Sequence, residues 1–312
     1  PIWHLEVEDL LVLKNNKGVD ETRVRHLDYG VQFNKLIYNR LLVDGDVTLF
    51  SPHAVKGMYE AFFSDQDEFE RLYVQAENDP TIPKKTIKAS KLFTEFMKER
   101  ASTGRIYLQN VDHCNENGPF DPKLAPIRQS NLCLEIALPT KPMGTRDEEI
   151  ALCTLAAINL GKVDSLEDIQ PLTDIIVRAL DNLLDYQNYP IVAAEKNKLR
   201  RTLGVGVINY ANYLAKNGVR YSDGSANNLT HELFEQIQYS LLISSNILAK
   251  AKGMCAKFDD TKYAQGLLPI DWYKRDTDVI HTADYKCDWE KLREDIKKYG
   301  LRNSTLSALM PS

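Results

Sequence analysis

The sequence predicts a protein of the α/β class. Several segments repeat apolar residues with the helical period of about 3.6, and short apolar segments typical of strands lie between them. Residues 84–100 have the helical period, and Gly104, which follows them, is the kind of residue that ends helices. Residues 105–109 then have the pattern of a strand. This succession of helix and strand is typical of βα units.

The composition is that of a soluble globular protein, with 43% hydrophobic and 27% charged residues. A chain of 312 residues has the length of one large domain or two ordinary ones. The net charge is −5, and no basic stripe is dense enough to neutralise a phosphate backbone. The longest apolar stretches fall far short of the roughly 20 residues that cross a bilayer. The sequence therefore predicts neither nucleic-acid binding nor insertion into a membrane.

The five cysteines are odd in number, widely spaced and without a C-x-x-C pair. This arrangement fits neither a disulfide scaffold nor a zinc site, and we expect no metal to be bound by the chain. Cysteines used in this way indicate a reducing compartment, and we therefore expect a cytoplasmic protein.

In the first half of the chain, a helix is expected within 1–14, before a turn at 14–18. The helical period returns through 24–42, a short strand is expected at 47–50, and a further helix begins at 51–53. His113 and Cys114 are expected in a loop, without enough neighbouring ligands for a metal site.

In the second half, Ser165 and Asp168 form the sequence pattern of a capping box, which predicts the start of a long amphipathic helix. The pattern also predicts a strand at 151–155 and helices at 210–216, 226–252 and 289–299.

Two glycines, Gly204 and Gly206, suggest a dinucleotide-binding motif, but Asn209 stands where that motif needs its third glycine. We reject that interpretation. The glycines instead predict a strand whose backbone lies against another element or a ligand. The C-terminal stretch 301–312 is rich in small and hydroxyl residues and is typical of the approach to an anion-binding helix N-terminus.

Residues 131–136 alternate polar and apolar side chains, which predicts a strand with Asn131, Cys133 and Glu135 on one face. That face would combine a thiol, a carboxamide and a carboxylate able to accept a proton. The alternative is a small buried cysteine on a half-exposed strand whose polar neighbours meet water. Cys153 follows in the next predicted strand, and the connector between the two strands could bring both cysteines together.

Seven segments along the whole chain resemble the large catalytic subunit of class I ribonucleotide reductases: 1–4 (PIWH), 101–106 (ASTGRI), 130–136 (SNLCLEI), 151–155 (ALCTL), 221–225 (YSDGS), 303–305 (NST) and 309–312 (LMPS). The resemblance implies an α/β barrel of ten strands with a central finger loop. Cys133 would then lie at the tip of that loop rather than on a strand. The chain starts at Pro1 and stops at Ser312, so we expect residues 1–312 to be the central part of the catalytic barrel domain, with N- and C-terminal parts missing.

The resemblance also implies a role for each site residue. Cys133 would become a thiyl radical that takes hydrogen from C3′ of the ribose, Glu135 would be the general base, and Asn131 would hold the sugar hydroxyls. Cys153 would be one half of a redox-active dithiol whose other half lies outside this chain. Leu132 and Leu134 would join the substrate-binding loop, and Pro311 and Ser312 would open the loop that binds the substrate diphosphate.

The implied partners are a ribonucleoside diphosphate substrate, a small metal-containing β subunit that supplies the radical, thioredoxin or glutaredoxin, and a second large subunit. ATP and deoxynucleotide effectors would bind regions outside this chain, and separate chains could supply the missing parts. Two alternatives stay open: a non-catalytic assembly fragment of the same fold, and a related barrel enzyme that uses a glycyl radical. The flanking coding sequence would separate them.

Overall fold

The structure is a computed structural model that describes residues 1–152, 154–282 and 284–310. The chain divides into two compact units. The first consists of Pro1–Glu116 and Pro126–Ala137, and the second of Asn117–Ala125 and Leu138–Ser312. Each unit has a hydrophobic core of its own.

The first unit alternates helices and strands, in this order: α1 (Val7–Leu11), β1 (Tyr29–Phe33), α2 (Lys35–Leu42), β2 (Asp46–Phe50), α3 (Met58–Ser64), α4 (Gln66–Asn78), β3 (Lys84–Lys88), α5 (Ala89–Thr103), β4 (Ile106–Asn110) and α6 (Val111–Glu116). Side chains cap two of these helices: Asn34 accepts from the backbone N–H of Ile37 at the start of α2, and Asp65 accepts from Glu68 at the start of α4.

The strands of the first unit form two pairs. Strands β1 and β4 are parallel, with Gly30 opposite Tyr107 and Gln32 opposite Gln109. Strands β2 and β3 are antiparallel. The core between these pairs and the helices is rich in aromatic rings; the fully buried Trp3 ring lies 5.5 Å from that of Phe62. Aromatic burial of this kind is a large part of what stabilises a unit of this size.

The second unit is mostly helical and contains β5 (Leu155–Asn159), α7 (Ile169–Tyr186), α8 (Val192–Glu195), α9 (Asn197–Arg200), β6 (Gly204–Ile208), α10 (Tyr210–Lys216), α11 (Asn227–Lys252), α12 (Pro269–Trp272) and α13 (Trp289–Tyr299). Short 3-10 turns lie at Asp20–Thr22 in the first unit and, in the second, at Leu160–Lys162, Leu166–Asp168, Phe258–Asp260, Lys262–Gln265 and Arg275–Val279. Helices α7 and α11 pack against each other, and both contribute residues to this unit's core.

Strands β5 and β6 are parallel, and Val205 of β6 also forms a parallel bridge with Ser307. The close approach predicted for the glycines is confirmed at Gly206, because a Cβ atom there would lie 2.6 Å from the carbonyl oxygen of Ala308. Only a residue without a side chain allows the 308–310 backbone to lie this close to β6.

Local signals in the sequence predicted several elements correctly. The capping box at Ser165 and Asp168 is present, although a short 3-10 turn precedes α7 itself. Helices α10, α11 and α13 and strands β2 and β4 lie within one residue of their expected starts and ends. The N-terminal helix is also present, but it is confined to Val7–Leu11.

Other predictions were wrong. Residues 24–42 and 84–100 were expected to be helical throughout, but each contains a strand before its helix, β1 and β3 respectively, and each strand pairs with one distant in sequence. The helix expected from 51–53 begins only at Met58. His113 and Cys114 lie in α6 rather than in a loop. The strand expected at 151–155 begins at Leu155.

The resemblance implied a closed barrel of ten strands. The described residues contain six strands in three two-stranded sheets, and these strands do not close into a barrel. The α/β class is confirmed, since both parallel pairs are joined by connections that contain helices. The number of ten strands stays a prediction.

Candidate functional site

The segment that carries Cys133 is a short closed loop, here called the 130–137 loop. Ser130 and Ala137 form an antiparallel bridge at its base. The backbone N–H of Asn131 donates to the Ile136 carbonyl over 3.2 Å, and the Ile136 N–H donates to Asn131 Oδ1 over 3.1 Å. Asn131 thus closes the loop with both its backbone and its side chain.

The alternating pattern of 131–136 does not form a strand. The Leu134 N–H donates to the Asn131 carbonyl over 3.1 Å, which is a turn, and Leu134 has a φ of +65°. A branched residue in the left-handed region marks strain that the surrounding structure must hold. The strand prediction is therefore wrong, and the structure is that of a loop, as the family resemblance implied.

The tip of the 130–137 loop presents its thiol to solvent in this chain. Cys133 is an exposed free cysteine, and the neighbouring Leu132 side chain is 53% exposed. The alternative of a small buried cysteine therefore does not hold. A thiol at the tip of a loop that its own hydrogen bonds hold closed is accessible and yet positioned.

Glu135 is partly buried, and its Oε2 atom is completely buried without a hydrogen-bond partner among the described residues. Buried carboxylate oxygens are normally paired, so an unpaired one points to a missing partner. Asn131 also has a free hydrogen-bond donor, because its Nδ2 group makes no hydrogen bond to the described part of the chain. The loop therefore carries a thiol, an acceptor and a donor without hydrogen-bond partners among the described residues.

A cleft of about 520 Å³ lies in the first unit beside the 130–137 loop. The loop contributes four residues to its wall, whereas Cys133 and Glu135 do not line it; the four are Ser130, Asn131, Leu132 and Leu134. Gln32 of β1 and Gln109 of β4, which are paired in the register of the two strands, also line the cleft. The loop is thus built against the parallel strands of its own unit.

Gln32 and Gln109, which line this cleft, were not predicted from the sequence as site residues. Gln32 Nε2 donates to Gln109 Oε1 over 2.9 Å and also to the carbonyl of Arg128, just before the loop. These bonds tie β1 and β4 to the chain that leads into the 130–137 loop. The signal in the sequence that could have identified Gln32 is its position between the apolar residues Val31 and Phe33, both of which are buried.

Cys153, Pro311 and Ser312 lie outside the described residues. The residues on both sides of Cys153 are attached to the chain that leads into β6: Thr202 Oγ1 donates to the Leu152 carbonyl over 3.3 Å, and the Gly204 N–H donates to the Thr154 carbonyl over 2.9 Å.

The three other cysteines that the structure describes, Cys114, Cys255 and Cys287, are less accessible than Cys133. Burial raises the pKa of Cys255 to about 12, and burial together with the nearby Glu235 carboxylate raises the pKa of Cys287 to about 12. Burial also raises the pKa of Cys114. Because the thiolate is the reactive form in polar chemistry, these three cysteines behave as packed, protonated thiols at neutral pH.

Within the described ranges, no group of three or more His, Cys, Asp and Glu side chains is arranged to hold a metal ion. The helices of the same residues include none that is both long and apolar enough to cross a membrane.

Comparison with known proteins identifies the family of the chain. The family model described as "Ribonucleotide reductase, barrel domain" matches residues 1–312. The chain is 64% identical over its full length to the ribonucleoside-diphosphate reductase subunit alpha of Haemophilus influenzae and 65% identical to ribonucleoside-diphosphate reductase 1 subunit alpha of Escherichia coli. It is 56% identical to the subunit alpha of Enterobacteria phage T4.

The chain spans 42% of the length of the Haemophilus influenzae and Escherichia coli relatives and 41% of that of the phage relative. The family model, however, covers all of its residues. The chain therefore belongs to the family of the ribonucleotide reductase barrel domain.

Proposed function

We propose that this chain is the catalytic segment of a ribonucleoside-diphosphate reductase, which reduces ribonucleoside diphosphates to 2′-deoxyribonucleoside diphosphates. Its curated relatives are named as alpha subunits of that enzyme. The observation that carries the proposal is the 130–137 loop, where an exposed thiol lies two residues from a buried carboxylate oxygen that has no hydrogen-bond partner in the described part of the chain.

Radical chemistry is the use that best suits Cys133. A thiyl radical at its Sγ takes the hydrogen atom from C3′ of the ribose, forming the S–H bond and leaving a carbon radical. The S–H and C–H bonds are close enough in strength for the hydrogen to return at the end of the cycle. A small metal-containing subunit supplies the radical when it is assembled with this subunit.

Glu135 acts as the general base at this stage. Its unpaired Oε2 accepts the proton of the 3′-hydroxyl, which helps the 2′-hydroxyl to leave as water. A buried acceptor that no group of the described residues satisfies is available for a substrate hydroxyl, whereas a solvated surface carboxylate would have no such preference.

The two polar groups of the Asn131 side chain have different roles. Its Oδ1 is occupied by the Ile136 N–H, which leaves the Nδ2 group to donate to a sugar hydroxyl. Holding the sugar in this way decides which hydrogen faces the Cys133 sulfur. Leu132 and Leu134 complete the substrate-binding loop on either side of the thiol.

Two electrons are needed to complete the reduction at C2′. Cys153 and a cysteine outside this chain give up two electrons and two protons as a dithiol and become a disulfide. Thioredoxin or glutaredoxin then reduces that disulfide. Pro311 and Ser312 open the loop whose backbone N–H groups bind the substrate diphosphate.

The proposed enzyme is cytoplasmic and contains two copies of the large subunit. Residues 1–312 are the central part of its barrel domain, with the 130–137 loop as the finger. ATP and deoxynucleotide effectors bind to regions outside this chain.

The substitution Cys133→Ser in the complete enzyme tests the proposal, with Cys114→Ser as the matched control in the same unit. An O–H bond is too strong for the serine oxygen to act as the hydrogen relay. We expect Cys133→Ser to bind substrate and to form no deoxynucleotide, while Cys114→Ser keeps its turnover. Measurable turnover by Cys133→Ser would contradict the proposal.

A further inference from the structure

A cavity of about 260 Å³ in the second unit has no part in the chemistry proposed above. It is lined by residues of α11 and α12 and by the first residue of α13, among others. A cavity of this size suits a small ligand, since drug-sized molecules occupy pockets of about 300 to 1,000 Å³. Five side chains with rings line it: His231, Tyr273, His281, Tyr285 and Trp289.

The charged groups of this lining are negative. Glu235 and Asp278 both line the cavity, whereas no lysine or arginine is among the described residues that do. The rings lie close together: the centroid of the His231 ring is 5.5 Å from that of His281 and 5.7 Å from that of Tyr285. Because carboxylates and the faces of aromatic rings both attract cations, the lining favours a positively charged ligand.

Glu235 provides the buried carboxylate of the cavity, with 7% of the residue exposed. Its Oε1 atom accepts from the backbone N–H groups of Lys286 and Cys287 and from the indole N–H of Trp289, at 2.9 to 3.0 Å. Within the described residues, its Oε2 atom accepts a hydrogen bond only from the same Lys286 N–H, over 3.0 Å. A carboxylate oxygen has two lone pairs, so Oε2 is able to accept a further donor.

His231 lies one helical turn before Glu235 on α11, and its Nε2 atom is buried without a hydrogen-bond partner among the described residues. This atom lies 3.9 Å from Glu235 Oε2, which is too far for a direct hydrogen bond. A single donor nitrogen between the two atoms reaches both, because two hydrogen bonds of about 2.9 Å span such a separation. The unpaired nitrogen beside the carboxylate therefore points to a missing donor.

A cation of the chain itself already occupies one ring of the lining. The Arg275 guanidinium lies 4.2 Å from the centroid of the Tyr273 ring and donates to the Tyr273 hydroxyl, which donates in turn to the Asp278 carboxylate over 3.0 Å. Tyr273 and Asp278 are thus satisfied by their own segment. The acceptors that remain for a ligand are on His231 and Glu235.

We propose that this cavity binds a small primary amine in its protonated, ammonium form. Two N–H groups of the ammonium donate to His231 Nε2 and Glu235 Oε2, and its carbon chain packs against the rings of Tyr285 and Trp289. In this arrangement the His231 proton is on Nδ1, which makes Nε2 the acceptor. A primary ammonium group combines the positive charge that the lining favours with the two donors that its acceptors need.

Three probes separate these contributions in the complete wild-type subunit. Butylammonium has both the charge and the N–H donors, butan-1-ol has the same chain without the charge, and tetramethylammonium has the charge without N–H groups. Binding is measured by ligand-observed NMR titration. We expect saturable binding of butylammonium with a Kd on the order of 1 mM, as befits a ligand of few atoms. The other two probes should bind at least about tenfold more weakly, since hydrogen bonds to charged groups contribute about that much.

The two histidines of the cavity provide matched variants that locate the bound amine. His231→Phe keeps a ring and removes the unpaired Nε2, whereas His281→Phe makes the same replacement at the ring 5.5 Å away. We expect His231→Phe to raise the Kd of butylammonium about tenfold and His281→Phe to change it less than about threefold. Glu235 is left unchanged, because the N–H groups of Lys286, Cys287 and Trp289 depend on its carboxylate.

Several outcomes would overturn the proposal. Equal affinities for butylammonium and butan-1-ol would refute recognition of the charge, and tetramethylammonium binding as tightly as butylammonium would refute the hydrogen bonds. Equal effects of the two histidine substitutions would locate the amine elsewhere. If none of the probes bound, the partner of His231 would be water alone. Tighter binding of Nα-acetyl-lysine methylamide than of butylammonium would replace the free amine by a lysine side chain of another protein.

The comparison of probes uses only the wild-type subunit, so it decides the proposal even if a variant fails to fold. None of these measurements involves turnover or a ribonucleotide. The amine site and the proposed function are therefore tested independently of each other.

Discussion

Glu135→Gln is the substitution that most directly tests the chemistry of the 130–137 loop. The loop is closed by Asn131, Ile136 and the bridge between Ser130 and Ala137, and none of these bonds uses the Glu135 side chain. Glutamine keeps the size of the side chain and its ability to accept a hydrogen bond but does not take up a proton. The loop should therefore keep its structure, and the loss should fall on the chemical step.

General-base catalysis typically contributes about 10²- to 10⁴-fold. At about 1.4 kcal/mol for each factor of ten, this corresponds to an increase of about 3 to 5 kcal/mol in the activation free energy. We therefore expect kcat of Glu135→Gln to fall by that factor while KM changes little, which is the pattern of a group that acts only in the transition state.

The assay is steady-state formation of deoxynucleotide by the complete, assembled enzyme. Glu21→Gln is the control, because Glu21 is an exposed glutamate of the same unit. Asn131→Asp, measured in parallel, tests whether the donor beside Glu135 is also needed. A Glu135→Gln enzyme within about threefold of the wild type would refute the proton-acceptor role, since that factor is less than about 1 kcal/mol.

Two further predictions concern packing in each unit. In the first unit, the buried Tyr73 hydroxyl accepts from the Thr48 N–H (2.8 Å) and donates to the Thr48 carbonyl (2.6 Å), so Tyr73→Phe should lower the free energy of unfolding by about 1 to 3 kcal/mol. The measurement is denaturant unfolding, and Tyr186→Phe is the control because Tyr186 is exposed. A free energy of unfolding for Tyr73→Phe equal to that of the wild type would contradict the prediction. In the second unit, the pKa of Cys255 near 12 predicts no alkylation at pH 8 until the protein unfolds; rapid labelling of the folded protein would contradict its burial.

The predictions that succeeded rest on interactions between residues close in sequence. The capping box of Ser165 and Asp168 joins residues three apart, and it predicted the start of the helical region correctly. Helices α11 and α13 each end at a glycine with positive φ, Gly253 and Gly300. Such signals act within one turn of the chain, so they are visible without knowledge of the tertiary structure.

The predictions that failed involve partners distant in sequence. Residues Lys84–Lys88 begin a stretch, 84–100, with a helical apolar pattern, but they form β3 because β2 offers antiparallel hydrogen bonds about forty residues earlier in the chain. Tyr29–Phe33 is likewise a strand because β4 lies beside it. Pairing with a distant strand can outweigh local propensity, and a single sequence does not display that pairing.

The sequence by itself determined which residues are candidates for the chemistry, because Asn131, Cys133 and Glu135 are distinctive in their types and spacing and match a known family. Only the tertiary structure decided their arrangement. The alternation predicted a strand, whereas Asn131 closes a loop through its own side chain and Leu134 takes a positive φ. The physical reason is that one partly buried side-chain hydrogen bond and one left-handed residue redirect six residues, and neither is encoded in a pattern of polar and apolar positions.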